Sequence, residues 1–159
     1  MNFILNQKYT DGNTPIRETR VNVLVDTSVW SLALRRHAQD LSAADVSVVG
    51  ELTELIKEGR TRVIGLVRQE LLSGIKTSAQ YEKLRAILRS FPDEPINTED
   101  YETAAKLSNN CRSKGIAVSV PDMVICAIAL TRGWSVFTND PDFENYKNIL
   151  QIKLHKARK

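Results

Sequence analysis

Four carboxylates in this chain stand where side chains from different segments can work together. Asp26 ends an apolar run, residues 21–25, and is followed at once by a helical pattern, SVWSLALRRH. Glu70 lies early in the helical stretch after RVIG (62–65), and Asp122 is the second residue of PDMVICAIAL (121–130). Asp140 comes two residues after Thr138, the last residue of WSVFT (134–138). Each has an ordinary reading when taken singly. Asp26 could cap a helix, Asp122 could be a first-turn acid favoured by the helix dipole, Asp140 could belong to an Asp-Pro-Asp turn, and Glu70 could be a surface acid. Brought to one edge of a sheet, the four would repel one another and raise their proton affinities unless a cation compensated. Oxygen donors with no histidine or cysteine cluster suit Mg²⁺ or Mn²⁺. Such an ion can activate water for attack on a phosphodiester.

The elements that must position these acids are short apolar runs alternating with longer amphipathic ones. Expected strands are 21–26, 62–65, 134–138 and 148–154 (NILQIKL at its core). Expected helices are 28–37, 42–58, the segment LVRQELLSGI ending at Gly74, 78–91, 99–114 with Thr98 as its cap, and the one opened by Pro121. In 78–91, Tyr81, Leu84, Ile87, Leu88 and Phe91 share a stripe. Residues 123–130 are apolar all round, which predicts a helix covered on every side. Strands alternating with helices imply βαβ units, hence a central parallel sheet with helices on both faces. Ligands of such sheets sit beyond the carboxyl ends of the strands, at a topological switch point, which is where Asp26 falls.

Composition bounds the rest. The 159 residues suffice for one domain with a single core, and 42% hydrophobic and 26% charged residues are ordinary for a globular chain. A net charge of +3 permits nucleic acid without requiring it. Cys111 and Cys126 lie in apolar helical patterns and read as buried thiols, with no disulfide framework and no zinc pair, which suits a reducing cytoplasm. His37 and His155 stand beside basic residues and read as solvated. Asp45, Glu51, Glu54, Glu58, Glu82, Glu99, Asp100, Glu102 and Glu144 read as solvated acids. No apolar run is long enough for a membrane span, and residues 1–20, with their Asp-Gly-Asn-Thr-Pro cluster, read as a flexible arm rather than a signal peptide. Residues 155–159 form a basic tail.

VLVDTSVW, VRQELLSG, PDMVICAIAL and FTNDPDF, in that order and at those distances, resemble the PIN-domain family, and within it the VapC-type toxin ribonucleases of toxin–antitoxin modules. The resemblance runs over 21–154, and residues 1–20 depart from the family pattern as a longer lead. It implies a three-layer α/β/α PIN-like fold with a central parallel sheet. It implies that Asp26, Glu70, Asp122 and Asp140 are catalytic metal ligands for Mg²⁺ (or Mn²⁺), with Asp142 auxiliary. Thr27 and Thr138 match hydroxyls that would orient carboxylates. It further implies an endoribonuclease, a homodimer and a VapB-type antitoxin as partner. Arg35, Arg36, Arg68 and the basic tail are then candidates for contact with RNA phosphates.

Rival readings fail on particular residues. A receiver domain wants neighbouring acids and a late lysine, a haloacid-dehalogenase-like phosphatase wants Asp-x-Asp where Asp26-Thr27-Ser28 stands, and a dinucleotide fold wants a glycine-rich first turn. DNA cleavage would use similar chemistry. A non-catalytic RNA- or partner-binding domain is the alternative from another class.

Overall fold

The computed structural model describes residues 21–158. The expected arm over residues 1–20 lies outside them.

Four parallel strands form the sheet, in the order β2-β1-β3-β4. They are β1 (Val23–Val25), β2 (Thr61–Arg62), β3 (Ser135–Phe137) and β4 (Lys153–Leu154). In register, Val23, Leu24 and Val25 of β1 oppose Ser135, Val136 and Phe137 of β3. All three β1 residues are fully buried, as a central strand covered on both faces requires.

Seven α-helices fill the connections within the described residues. From β1 the chain runs through α1 (Thr27–Arg35), a short 3-10 turn (Ala38–Asp40) and α2 (Ala43–Lys57) to β2. It returns to β3 through α3 (Gly65–Leu72), α4 (Ser78–Leu88), α5 (Thr98–Ser113) and α6 (Val120–Arg132), and α7 (Asp142–Leu150) links β3 to β4. Steps to β2 and to β4 go in opposite directions from the centre, so right-handed crossovers place α1 and α2 on one face and α7 on the other. The packing agrees: α2 lies against α1, while α5 lies against both α6 and α7. This is the three-layer α/β/α arrangement with a central parallel sheet. The direction of crossover changes between β1 and β3, which makes the gap beyond their carboxyl ends the switch point.

Several expected boundaries shift for local reasons. The helix expected over 99–114 is capped by Asn97 rather than Thr98. Asn97 Oδ1 accepts the Asp100 N–H at 2.9 Å and Asp100 accepts the Asn97 N–H at 3.0 Å, a reciprocal box that Thr98 cannot make. Of the strand expected over 62–65, Val63 forms only an isolated bridge with Asp93, and Ile64 already precedes α3. The helix expected over 78–91 ends at Leu88; Phe91 still reaches the core, edge-on to Trp30 at 4.9 Å, but Tyr81 is exposed.

The largest correction concerns residues 142–154. In place of a strand over 148–154 there is a helix, α7, then Gln151 in a left-handed turn, then the two residues of β4. Phe143, Tyr146 and Leu150 bury one helical face. That face, and not the apolar alternation at its end, sets the structure.

Two acids expected on solvated faces are buried. Glu51 receives Arg158 Nε at 2.9 Å and His155 Nε2 at 2.7 Å, so His155 is not a solvated histidine and the tail is clamped to α2. Asp100 receives Arg132 Nη2 at 2.9 Å. Cys111 and Cys126 are buried free thiols, as expected.

Candidate active site

Asp26 is the N-cap of α1, and its own N–H donates to Phe137 O at 2.9 Å, tying the ends of β1 and β3 together. Its side chain is largely buried, and three donors converge on one oxygen. Oδ2 accepts from Ser28 Oγ at 2.7 Å, from Thr138 Oγ1 at 2.9 Å and from Ser28 N–H at 3.3 Å. Oδ1 accepts no hydrogen bond among the described residues. The carboxylate is therefore gripped at one oxygen and left unbonded at the other.

The two hydroxyls have no freedom to turn away. Ser28 Oγ accepts the Asn139 N–H at 2.9 Å and Thr138 Oγ1 accepts the Asp140 N–H at 2.9 Å. A hydroxyl has one proton, and with a lone pair of each engaged by an amide that proton goes to Asp26. The 3.3 Å approach between Ser28 Oγ and Thr138 Oγ1 then needs no proton of its own. Thr138 was expected from the sequence to orient a carboxylate. Ser28 was not, although its place two residues after a strand-ending aspartate is the signal for this local bond.

Asp122 lies in the first turn of α6, where Ser119 Oγ accepts its N–H at 3.2 Å. Tyr146 Oη donates to Asp122 Oδ2 at 3.2 Å. Burial pushes the Asp122 carboxyl above its usual range, hydrogen bonds from Ser119 and Tyr146 oppose this, and the charges of Asp26 and Asp140 add to the rise. Asp122 thus feels Asp26 and Asp140 across the switch point. Burial, then the charge of Asp122, hold the Tyr146 phenol well above its ordinary proton affinity.

Asp140 holds the Asp142 N–H on Oδ1 at 2.9 Å, an Asx-type turn that opens α7. Asp142 enters the described hydrogen bonds through that amide; its carboxylate is on an exposed first turn. Glu70 is exposed and joins the group at its rim, through a hydrogen bond from Thr27 Oγ1. The structure therefore brings Asp26, Asp122 and Asp140 together, keeps Glu70 beside them, and leaves Asp142 peripheral.

Among the described residues none of these acids is paired with Lys, Arg or His, and no three of them close into a ready-made cage. Like charges stand apart for elementary reasons. The set is all oxygen, acidic and partly dehydrated, which fits a hard divalent cation rather than a soft metal.

The basic candidates separate. Arg68 is engaged, with Nε on Asp93 at 2.9 Å and Nη2 on the Phe91 carbonyl at 2.5 Å, so it braces the α4–α5 connection. Arg158 in the tail is held by Glu51 and Glu58. Arg35 and Arg36 are exposed at the far end of α1, about 13 Å along the axis from its N-cap at 1.5 Å per residue.

No curated protein matches the sequence. Among solved structures, the fold is similar to FitAcB from Neisseria gonorrhoeae, with a TM-score of 0.67 at 20% identity over 85% of this chain and 97% of that one. It is similar to VapBC2 from Rickettsia felis, bound there to a DNA fragment from its promoter, with a TM-score of 0.64 at 18% identity over 84% and 96% of the two chains. DNA-bound VapBC from Salmonella typhimurium gives a TM-score of 0.64 at 18% identity over 87% of this chain and 100% of that one. Likeness at such identities is one of fold. The PIN domain pattern matches residues 23–149, a span that begins with β1 and takes in every acid of the site. The chain belongs to the PIN domain family.

Proposed function

We propose that this protein is a Mg²⁺- or Mn²⁺-dependent endoribonuclease, the toxin of a toxin–antitoxin pair, acting in the cytoplasm as a homodimer and restrained by a VapB-type antitoxin. One observation carries the chemistry: Asp26, Asp122 and Asp140 share the switch point without a cationic partner among the described residues, and burial, with the charges of Asp26 and Asp140 adding to it, raises the proton affinity of Asp122. The antitoxin partner follows the company the fold keeps, since a toxin–antitoxin complex from Klebsiella pneumoniae and a member of the VapBC family of toxin–antitoxin systems from Mycobacterium tuberculosis share it.

Asp26, Asp122, Asp140 and Glu70 would hold the ion, directly or through water, with Asp142 nearby. The bound ion would supply Lewis acidity, making water a competent nucleophile near neutral pH and stabilising charge on the phosphodiester oxygens. The chain's own contribution is preorganisation. Ser28 and Thr138 fix Oδ2 of Asp26 and leave Oδ1 without a hydrogen bond among the described residues, and Thr27 holds Glu70 at the rim. Arg35 and Arg36 stand too far from Asp26 for the scissile phosphate and suit phosphates further along the strand.

The test is cleavage of total cellular RNA by purified protein with Mg²⁺ or Mn²⁺, beside Asp26→Asn, with fragment ends mapped by sequencing. A few discrete cuts, dependent on the ion and lost in the variant, are expected. No ion-dependent cleavage, together with no metal binding by calorimetry, would replace this reading by that of a non-catalytic binding domain.

A further inference from the structure

We propose that Tyr146 is the positioning residue for Asp122: its buried phenol, fixed in the core by α7, holds that carboxylate in the one orientation that faces the other acids. The inference rests on the reading of the site given above.

The two central aspartates are held very differently. Asp26 has three donors on one oxygen. Asp122 sits on a helix turn, where an aspartate side chain ordinarily has a choice of rotamers. Its carboxylate has one partner in a fixed place, Tyr146 Oη at 3.2 Å, besides the hydroxyl of Ser119 on the exposed end of its own helix.

Tyr146 is suited to that task by its packing. It is among the largest fully buried side chains, and its ring meets Phe143 edge-on at 5.4 Å. A tyrosine has two side-chain torsions, both set by the ring's packing, so a buried ring aims its hydroxyl as rigidly as the core holds it. The same oxygen approaches Ala117 O at 3.5 Å, in the connection between α5 and α6. Oη has a single proton, and the nearer, ionisable carboxylate takes it.

The chemistry of the donor matters as much as its aim. A lysine or arginine here would orient Asp122 but also neutralise it, competing with any cation. A phenol is neutral, so it orients the carboxylate and leaves its charge available. Phenylalanine would fill the same space, and burying a hydroxyl is unfavourable unless it is bonded. The described acceptors within its reach are Asp122 and Ala117. A core tyrosine aimed at a site carboxylate is thus accounted for by the site rather than by the core.

The experiment compares wild type and Tyr146→Phe, labelled with ¹³C and ¹⁵N and free of metal. Three-bond couplings to Cγ report the Asp122 side-chain rotamer. Wild type should show one rotamer and the variant an average of several, with closely similar melting curves. Averaging in wild type, or a single retained rotamer in the variant, overturns the proposal. Neither readout needs metal or RNA, so the result stands even if the nuclease reading fails. In parallel, Mn²⁺ affinity from water-proton relaxation should fall about tenfold or more in the variant. Equal Mn²⁺ affinities would overturn the positioning role, whereas no Mn²⁺ binding by wild type would overturn the nuclease reading and leave the rotamer measurement to decide on Tyr146.

Discussion

Thr138, at the end of β3, donates its hydroxyl proton to Asp26, at the end of β1, across 112 positions of sequence and 2.9 Å of space. The bond spans the pair of strands at which the crossovers change direction, so the sheet's own topology assembles it. It also fixes one side of the site, because Asp26 Oδ2 receives Ser28 and Thr138 together.

Thr138→Val should therefore cost both stability and turnover. The substitution keeps the shape and removes a donor to a buried carboxylate, an interaction worth about 1.5–3 kcal/mol. It also strips the Asp140 N–H of its acceptor. Urea melts should show a loss in that range, and ion-dependent cleavage should fall about 10–100-fold. A variant as stable and as active as wild type would remove Thr138 from the account of the site.

Asp122→Asn should have opposite effects on stability and activity. Because burial, helped by Asp26 and Asp140, raises the folded-state proton affinity of Asp122, the folded chain binds more protons than the unfolded one between the ordinary carboxylate range and the raised value. Stability then falls as pH rises through that window. At neutral pH the ionised Asp122 is a destabilising group, and asparagine removes the charge while still accepting from Tyr146. In chelator, the variant should melt higher than wild type at neutral pH, with the gap closing as pH falls through the raised value and gone below the ordinary carboxylate range. Metal-dependent cleavage should fall about 100-fold or more, beyond the effect of losing an outer partner. A variant that melts lower at neutral pH would contradict the electrostatic account.

The legible parts of this site are those written locally. Asp26, Asp122 and Asp140 each lie at a strand end or helix start, and such positions leave short signatures: an apolar run that stops, a Pro-Asp opening, a turn after WSVFT. The sheet followed from the alternation of those runs. Ser28 was missed beside Thr27 because a pair of adjacent hydroxyls does not reveal which one turns toward the aspartate two residues back. Tyr146 was hidden by its helix, since Ile152 and Leu154 alternate with polar residues and drew the strand too far back toward the N-terminus. Glu51 could not be read as buried at all. Its partner Arg158 is 107 residues away, and no local pattern announces such a pair.

The arginines expected at RNA should divide into two classes. Arg35 and Arg36 are exposed, so Arg35→Gln and Arg36→Gln should leave the melting curve unchanged and weaken RNA binding. Each lost phosphate contact should flatten the dependence of log affinity on log salt by about 0.7 for a single strand. Arg68→Ala should instead lower stability by about 1.5–3 kcal/mol, since its guanidinium holds Asp93 and the Phe91 carbonyl, and should leave the salt slope alone. A changed slope for Arg68→Ala would return that residue to the RNA surface.

The C-terminal tail is predicted to be structural. Burial alone would push the Glu51 carboxyl up, but the hydrogen bonds of Arg158 and His155 overcome it and hold the group below its usual range. A depressed folded-state value contributes stability that is present above the unfolded value and is lost as pH falls through the folded one. Arg158→Ala leaves the buried carboxylate with His155 as its remaining side-chain partner and should cost about 1.5–3 kcal/mol at neutral pH. The converse change is milder. Arg158 is half exposed and is readily solvated once released, so adding Glu51→Leu to Arg158→Ala should recover part of the loss by removing the stranded charge. Urea melts of the two single variants and the double variant, at neutral and at acid pH, close the cycle. The expected pattern is a large single loss for Arg158→Ala that shrinks as pH falls and is partly reversed by the second substitution. An Arg158→Ala protein as stable as wild type at neutral pH would show that the tail only rests on α2, and would free it for the RNA.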